Sequence, residues 1–254
     1  MSKTFALTIA LSFMFTSQAQ AVMATETLLA THPREDQVYV EAGYFKSAYT
    51  LDVINQFADH VRVNSNDADE YVFKIGYSFT DSFYVFAKYN LAKIEFEESL
   101  DYELESDELD YSDYHAGAGL YWGDLGFRLA YGQFNYHTFL ETDTAFYFHD
   151  KLKSDYVLFG VDYNFQTSFW FDVELFLDNQ YYIPSTLDDY EIENGYVRRW
   201  GGKLVFGYRD IYLRLGYENT YRNVKMIHDF FTLKNEMNNK LQSNQFSATI
   251  SYQF

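Results

Sequence analysis

The chain of 254 residues carries 37 acidic against 19 basic side chains, is 21% aromatic (25 Tyr, 25 Phe, 3 Trp), and contains no Cys. The formal charge of −18 excludes nucleic acid as a partner, which needs a basic face, and the missing cysteines exclude disulfides, thiolate nucleophiles and Cys-ligated metals. A hydrophobic share of 48% argues against disorder, yet beyond the first 20 residues no apolar run reaches the ~20 residues of a membrane helix.

The chain begins with Lys3, an apolar stretch from Phe5 to Phe15, and the small-x-small sequence Ala19-Gln20-Ala21. That layout predicts a secretory signal peptide over residues 1–21. Residues 22–36 are polar and mixed, and read as a flexible periplasmic lead-in.

From there the chain alternates. Tyr71, Phe73, Ile75, Tyr77 and Phe79 are separated by Lys74, Gly76 and Ser78, the period of two that marks a strand. The alternation resumes after Asp81-Ser82 with Phe83, Val85, Ala87, Tyr89 and Leu91, so the two runs form a hairpin. The arrangement recurs around Gly123-Asp124, Thr167-Ser168 and Arg209-Asp210. Turn positions 81, 124, 167 and 210 are each 43 apart. Carried back, the spacing meets the strand that starts at Val38. Carried forward, it ends beside Phe254. Ten antiparallel strands of ~11–14 residues are predicted over 37–254, with short and long connections in strict alternation.

The second face of these strands is polar. Lys74, Lys88, Arg128, Asp162, Asp172, Glu174, Arg199, Lys203, Arg214 and Glu218 are assigned to it, together with Glu41 and Arg209. An apolar outside, a polar inside and alternating short turns and long loops are what a transmembrane barrel requires, and the barrel must close so that no backbone edge meets lipid. The fold class expected is therefore all-β, a transmembrane antiparallel up-and-down β-barrel. Two aromatic girdles are expected. One lies near the short turns (Phe79, Phe83, Trp122, Phe127, Phe165, Phe169, Tyr208, Tyr252, Phe254), the other near the loops (Tyr44, Tyr111, Tyr136, Tyr156, Tyr181, Tyr182, Tyr196, Tyr221).

The ending Ile250-Ser251-Tyr252-Gln253-Phe254 resembles the C-terminal signature of bacterial outer-membrane proteins. The mature chain is similar to small outer-membrane barrels of the OmpA-like and opacity-protein-like group. The resemblance implies that the barrel-assembly machinery reads Ile250, Tyr252 and Phe254, with periplasmic chaperones acting during biogenesis. Ten strands depart from the eight of the smallest members. Ten occur in omptin proteases and in a neisserial adhesin, which leaves both activities open.

A barrel this narrow is filled by its own side chains, so the inward charges read as an ion-pair network. Glu174 and Lys203 each lie seven residues from their turns on neighbouring strands, placing them as a cross-strand pair. The acid excess falls in the loops: Glu97 to Asp113 holds nine acidic and no basic residues, and Asp52, Asp69, Glu70 and Glu193 are read as loop acids too. A like-charge run is ordinarily a solvated loop, and metal binding stays open. In the last loop Arg222, Lys225, Lys234 and Lys240 outnumber the acids, which suits lipid phosphates. No cofactor is expected. The partners expected are outer-membrane lipid and lipopolysaccharide, around a monomer. Adjacent pairs such as His149-Asp150 and His228-Asp229 do not form a catalytic geometry, and Ser112 and His115 fall on opposite faces. A surface or structural barrel is the leading reading, ahead of a narrow pore and an enzyme.

Overall fold

The computed structural model of the protein describes residues 35–55, 60–95, 104–106, 108–142, 147–167, 171–187, 190–230 and 233–254. The signal segment and most of the lead-in lie outside these residues. The described chain is entirely β. Its strands are β1 (Gln37–Asn55), β2 (His60–Ser78), β3 (Phe83–Glu95), β4 (Leu104–Ser106), β5 (Glu108–Trp122), β6 (Leu125–Thr142), β7 (Tyr147–Phe165), β8 (Asp172–Tyr182), β9 (Ser185–Leu187), β10 (Tyr190–Tyr208), β11 (Ile211–Phe230) and β12 (Leu233–Gln253).

The ten long strands pair antiparallel with their neighbours all the way round, β1–β2–β3–β5–β6–β7–β8–β10–β11–β12 and back to β1. The ring is closed, so each wall strand has a partner on both sides. The three-residue β4 and β9 are additions to β6 and β10. Closure is completed at the last residue, where the Phe254 and Val38 backbones exchange N–H···O bonds of 3.0 Å in both directions. Gly123 (φ 60°) and Arg209 (φ 55°) make the tightest turns, with Gly free of the Cβ clash that Arg209 accepts.

β12 shows the physical logic of the wall. From Leu241 to Phe254 burial alternates at every residue. Ser243, Gln245, Ser247, Thr249, Ser251 and Gln253 point inward, while Phe246, Ala248, Ile250, Tyr252 and Phe254 point out. The same parity puts Phe73, Ile75, Leu120, Leu129, Phe159, Leu175, Trp200 and Leu215 on the outside of other strands. A closed barrel with an exposed apolar belt is a structure whose solvent is lipid. From Phe246 to Phe254 the belt spans roughly 20–25 Å once strand tilt is allowed for.

Three differences from the sequence reading follow. The strands run past the belt: β1, β2, β6, β7, β10, β11 and β12 have 18–21 residues, so much of what reads as long loop is continued hairpin. Arg209 is exposed on its turn and does not face the interior, because the hairpin reverses there. Tyr111, Tyr156 and Tyr182 belong to the interior rather than to the outer girdle, since they have the opposite parity to Tyr114, Val157 and Tyr181.

Candidate functional site

The interior has three levels. The lowest, nearest the short turns, is a chain of ion pairs. Arg214 reaches Glu41 (3.2 Å), Ser251 Oγ (2.6 Å) and Glu174 (3.9 Å). Lys203 stands opposite Glu174 in the β8–β10 register, with Nζ 3.6 Å from Oε1 and 4.8 Å from the Phe176 ring centre. Arg128 on β6 meets Asp178 on β8 at 3.1 Å and Asp162 at 3.5 Å. Both Arg128 and Asp178 are register partners of Gly160 on the intervening β7, so the missing side chain is the gap through which they touch. Asp172, also buried, accepts the backbone N–H of Thr167 at 3.3 Å and so braces the β7–β8 connection.

At the middle level Lys74 on β2 is directly opposite Lys88 on β3, and Lys88 is opposite His115 on β5. Lys74 lies over the Tyr39 and Phe86 rings at 5.2 and 5.3 Å. Arg199 and the buried Glu218 face the same space from β10 and β11.

Above this, Asp113 is fully buried. It accepts hydrogen bonds from the Tyr156 hydroxyl, Tyr111 (3.1 Å) and Asn90 (3.2 Å), and His115 Nδ1 is 2.8 Å from the Tyr156 oxygen. Glu70 accepts from Tyr49 (3.2 Å) and Gln245 (2.7 Å). Arg222 is buried over the Phe134 ring. Asp113, Glu70 and Arg222 are therefore interior groups, not loop residues. The strands simply extend further outward than ~14 residues. The same parity that places Lys74 and Arg214 inside reaches Glu70 and Arg222 when carried on.

The uppermost level is apolar. Leu51, Ala68, Ala92, Ile94, Phe134, Ile192, Val197, Val224, Met226 and Leu241 pack with Tyr49, Tyr156 and Tyr182 in one buried cluster drawn from every side of the barrel. No polarity rule for a lumen anticipates this layer. The cluster continues downward through Leu158, Phe86 and Tyr84, which line the cavities beside the charged groups.

Outside, the rim above the belt is polar and tyrosine-rich. The Tyr44 hydroxyl donates to Asp69 (2.5 Å), which Lys46 also contacts (3.1 Å), and Tyr131 donates to Asp155 (2.6 Å). Asp52 pairs with Arg62 (2.6 Å), and Lys225 bridges Glu193 (2.7 Å) and Glu236 (3.2 Å), so Lys225 is already partnered by protein acids. Among the described residues no three His, Asp or Glu side chains converge as a metal site would require. The side chains of His149, Asp150 and most of the acidic run after Glu97 lie outside the described residues.

No protein-family model matches the sequence, and no curated protein matches it either. Solved structures do. The outer membrane protease OmpT of Escherichia coli aligns over 91% of this chain and 100% of its own at 9% identity and a TM-score of 0.50. An outer membrane channel from Pseudomonas putida F1 aligns over 88% and 97% at 11% identity and 0.48. Ail, the attachment invasion locus protein of Yersinia pestis, aligns over 87% and 99% at 10% identity and 0.40. With its closed ring and apolar belt, the chain has the fold of the bacterial outer-membrane β-barrels.

Proposed function

We propose that the protein is a closed surface barrel of the outer membrane that acts through what it presents beyond the bilayer, not by conduction. One observation supports this: a buried apolar cluster that includes Leu51, Ile94, Phe134, Val224 and Met226 draws on strands from several sides of the ring. An aqueous path would have to pass this cluster and the ion pairs, and hydrophobic constrictions gate by excluding water. Lipid meets the belt, and lipopolysaccharide meets the tyrosine rim and the hairpins above it. The strand ending at Phe254 serves assembly, and the protein works as a monomer without a cofactor. Catalysis is not part of the reading: the His115–Asp113 pair is sealed inside the wall.

Planar-bilayer recording on refolded protein is the test, with insertion verified on the same sample by heat-modifiable migration. Inserted protein without discrete current steps is expected. Reproducible single-channel steps would replace this reading by that of a narrow pore.

A further inference from the structure

The middle of the lumen gathers more basic than acidic side chains round one cavity. A cavity of about 60 Å³ there is lined by Lys74, Lys88, Arg128, Arg199 and Lys203 against Glu41, Asp178 and Glu218. Glu41 is engaged from outside the cavity by Arg214 at 3.2 Å, while within its wall Asp178 holds Arg128 at 3.1 Å, and Glu174 holds Lys203 at 3.6 Å. Among the described residues Lys74, Lys88 and Arg199 have no carboxylate oxygen within 4.0 Å. Arg199 Nε is buried without a hydrogen-bond acceptor. Lys74 and Lys88 are directly opposite on neighbouring strands, a like-charge arrangement that is unfavourable unless something negative sits between them and their neighbours. A second cavity of about 70 Å³ shares Glu41, Lys74, Arg128 and Lys203 and continues to Ser251 and Gln253 at the short-turn end.

We propose that the middle cavity binds one compact inorganic anion, of halide to phosphate size, held by Lys88 and Arg199 with Lys74 beside them. The site rests on the enclosed lumen proposed above. Its readout is separate, because saturable binding together with channel activity would keep the site and remove only the closure.

The experiment follows the urea unfolding midpoint of refolded full-length protein in sodium chloride, sodium phosphate and sodium gluconate at equal ionic strength. A saturable rise in chloride or phosphate, absent in the bulky gluconate, is expected, and the salt that gives it tells halide from phosphate. Lys88→Met should weaken the apparent affinity at least about tenfold, as loss of a charge-assisted contact does. Glu218→Gln should strengthen it. If Lys88→Met does not fold, the opposite sign at Glu218→Gln still decides. Equal midpoints in the three salts, or the same rise in wild type and both variants, would overturn the proposal. Where chloride gives the rise, crystals soaked in bromide without anomalous density in this cavity would overturn it too.

Discussion

A single absent Cβ organises the lowest level of the lumen. Built on Gly160, a Cβ would collide with Asp178 Oδ1 and come within 3.0 Å of Arg128 Nε. Gly160→Leu should therefore split the Arg128–Asp178 pair and cost about 3 kcal/mol. Arg128→Met leaves Asp162 and Asp178 buried without their cation, at a cost of roughly 3–5 kcal/mol. Since both changes remove the same contact, the double variant should fall short of additivity by on the order of 2 kcal/mol, read from urea titrations of tryptophan emission. Additive losses would mean that Gly160 acts through the backbone alone. The same scale shows what was legible in sequence. Arg128, Lys203 and Glu174 could be placed inside from their distance to a turn, because parity within one hairpin is rigid. Asp178, Glu70 and Arg222 share that parity but sit where the apolar outward partners give way to polar ones. There composition no longer distinguishes a wall from a loop.

At the scale of the element, the strands are longer than the membrane demands. The belt uses only the half of each hairpin nearest the short turns. Beyond it the outward residues turn polar, as in Gln242 and Asn244, while inward ones turn apolar, as in Leu241. This exchange of faces is what conceals the upper hairpins from a reading that seeks one pattern throughout. Since the chain has no cysteine, single Cys variants along β12 report each face without background. Cys at 246, 248 and 250 should resist a water-soluble maleimide in vesicles because lipid covers them. Cys at 242 and 244 should react from outside. Cys at 251, which lines the lower cavity, should react only when the short-turn end is accessible. Reaction of 241 as fast as 242 would show that the upper interior is hydrated and that the apolar layer does not seal it.

At the scale of the whole molecule, the claim that lipid is the solvent of the belt makes a depth-resolved prediction. Trp122 lies at a short-turn rim and is 80% exposed, whereas Trp200 is 42% exposed and sits opposite Leu177, within the belt. Aromatic side chains at a rim rest at headgroup level, and those within the belt rest among acyl chains. In protein refolded into vesicles, a variant retaining only Trp200 should be quenched most by bromines placed deep on the acyl chains. One retaining only Trp122 should be quenched most by bromines near the headgroups. The ordering follows from strand register, because Trp200 lies eight positions above Tyr208 at the end of β10, while Trp122 is the last residue of β5. Emission from both that responds to aqueous iodide and not to brominated lipid would mean that the belt faces water. The closed ring would then be a soluble barrel, and the outer-membrane reading would fall with it. Quenching in the reverse order would keep the membrane but move the bilayer toward the short turns. That would put Trp200 at the headgroups and leave the upper apolar residues further beyond the membrane.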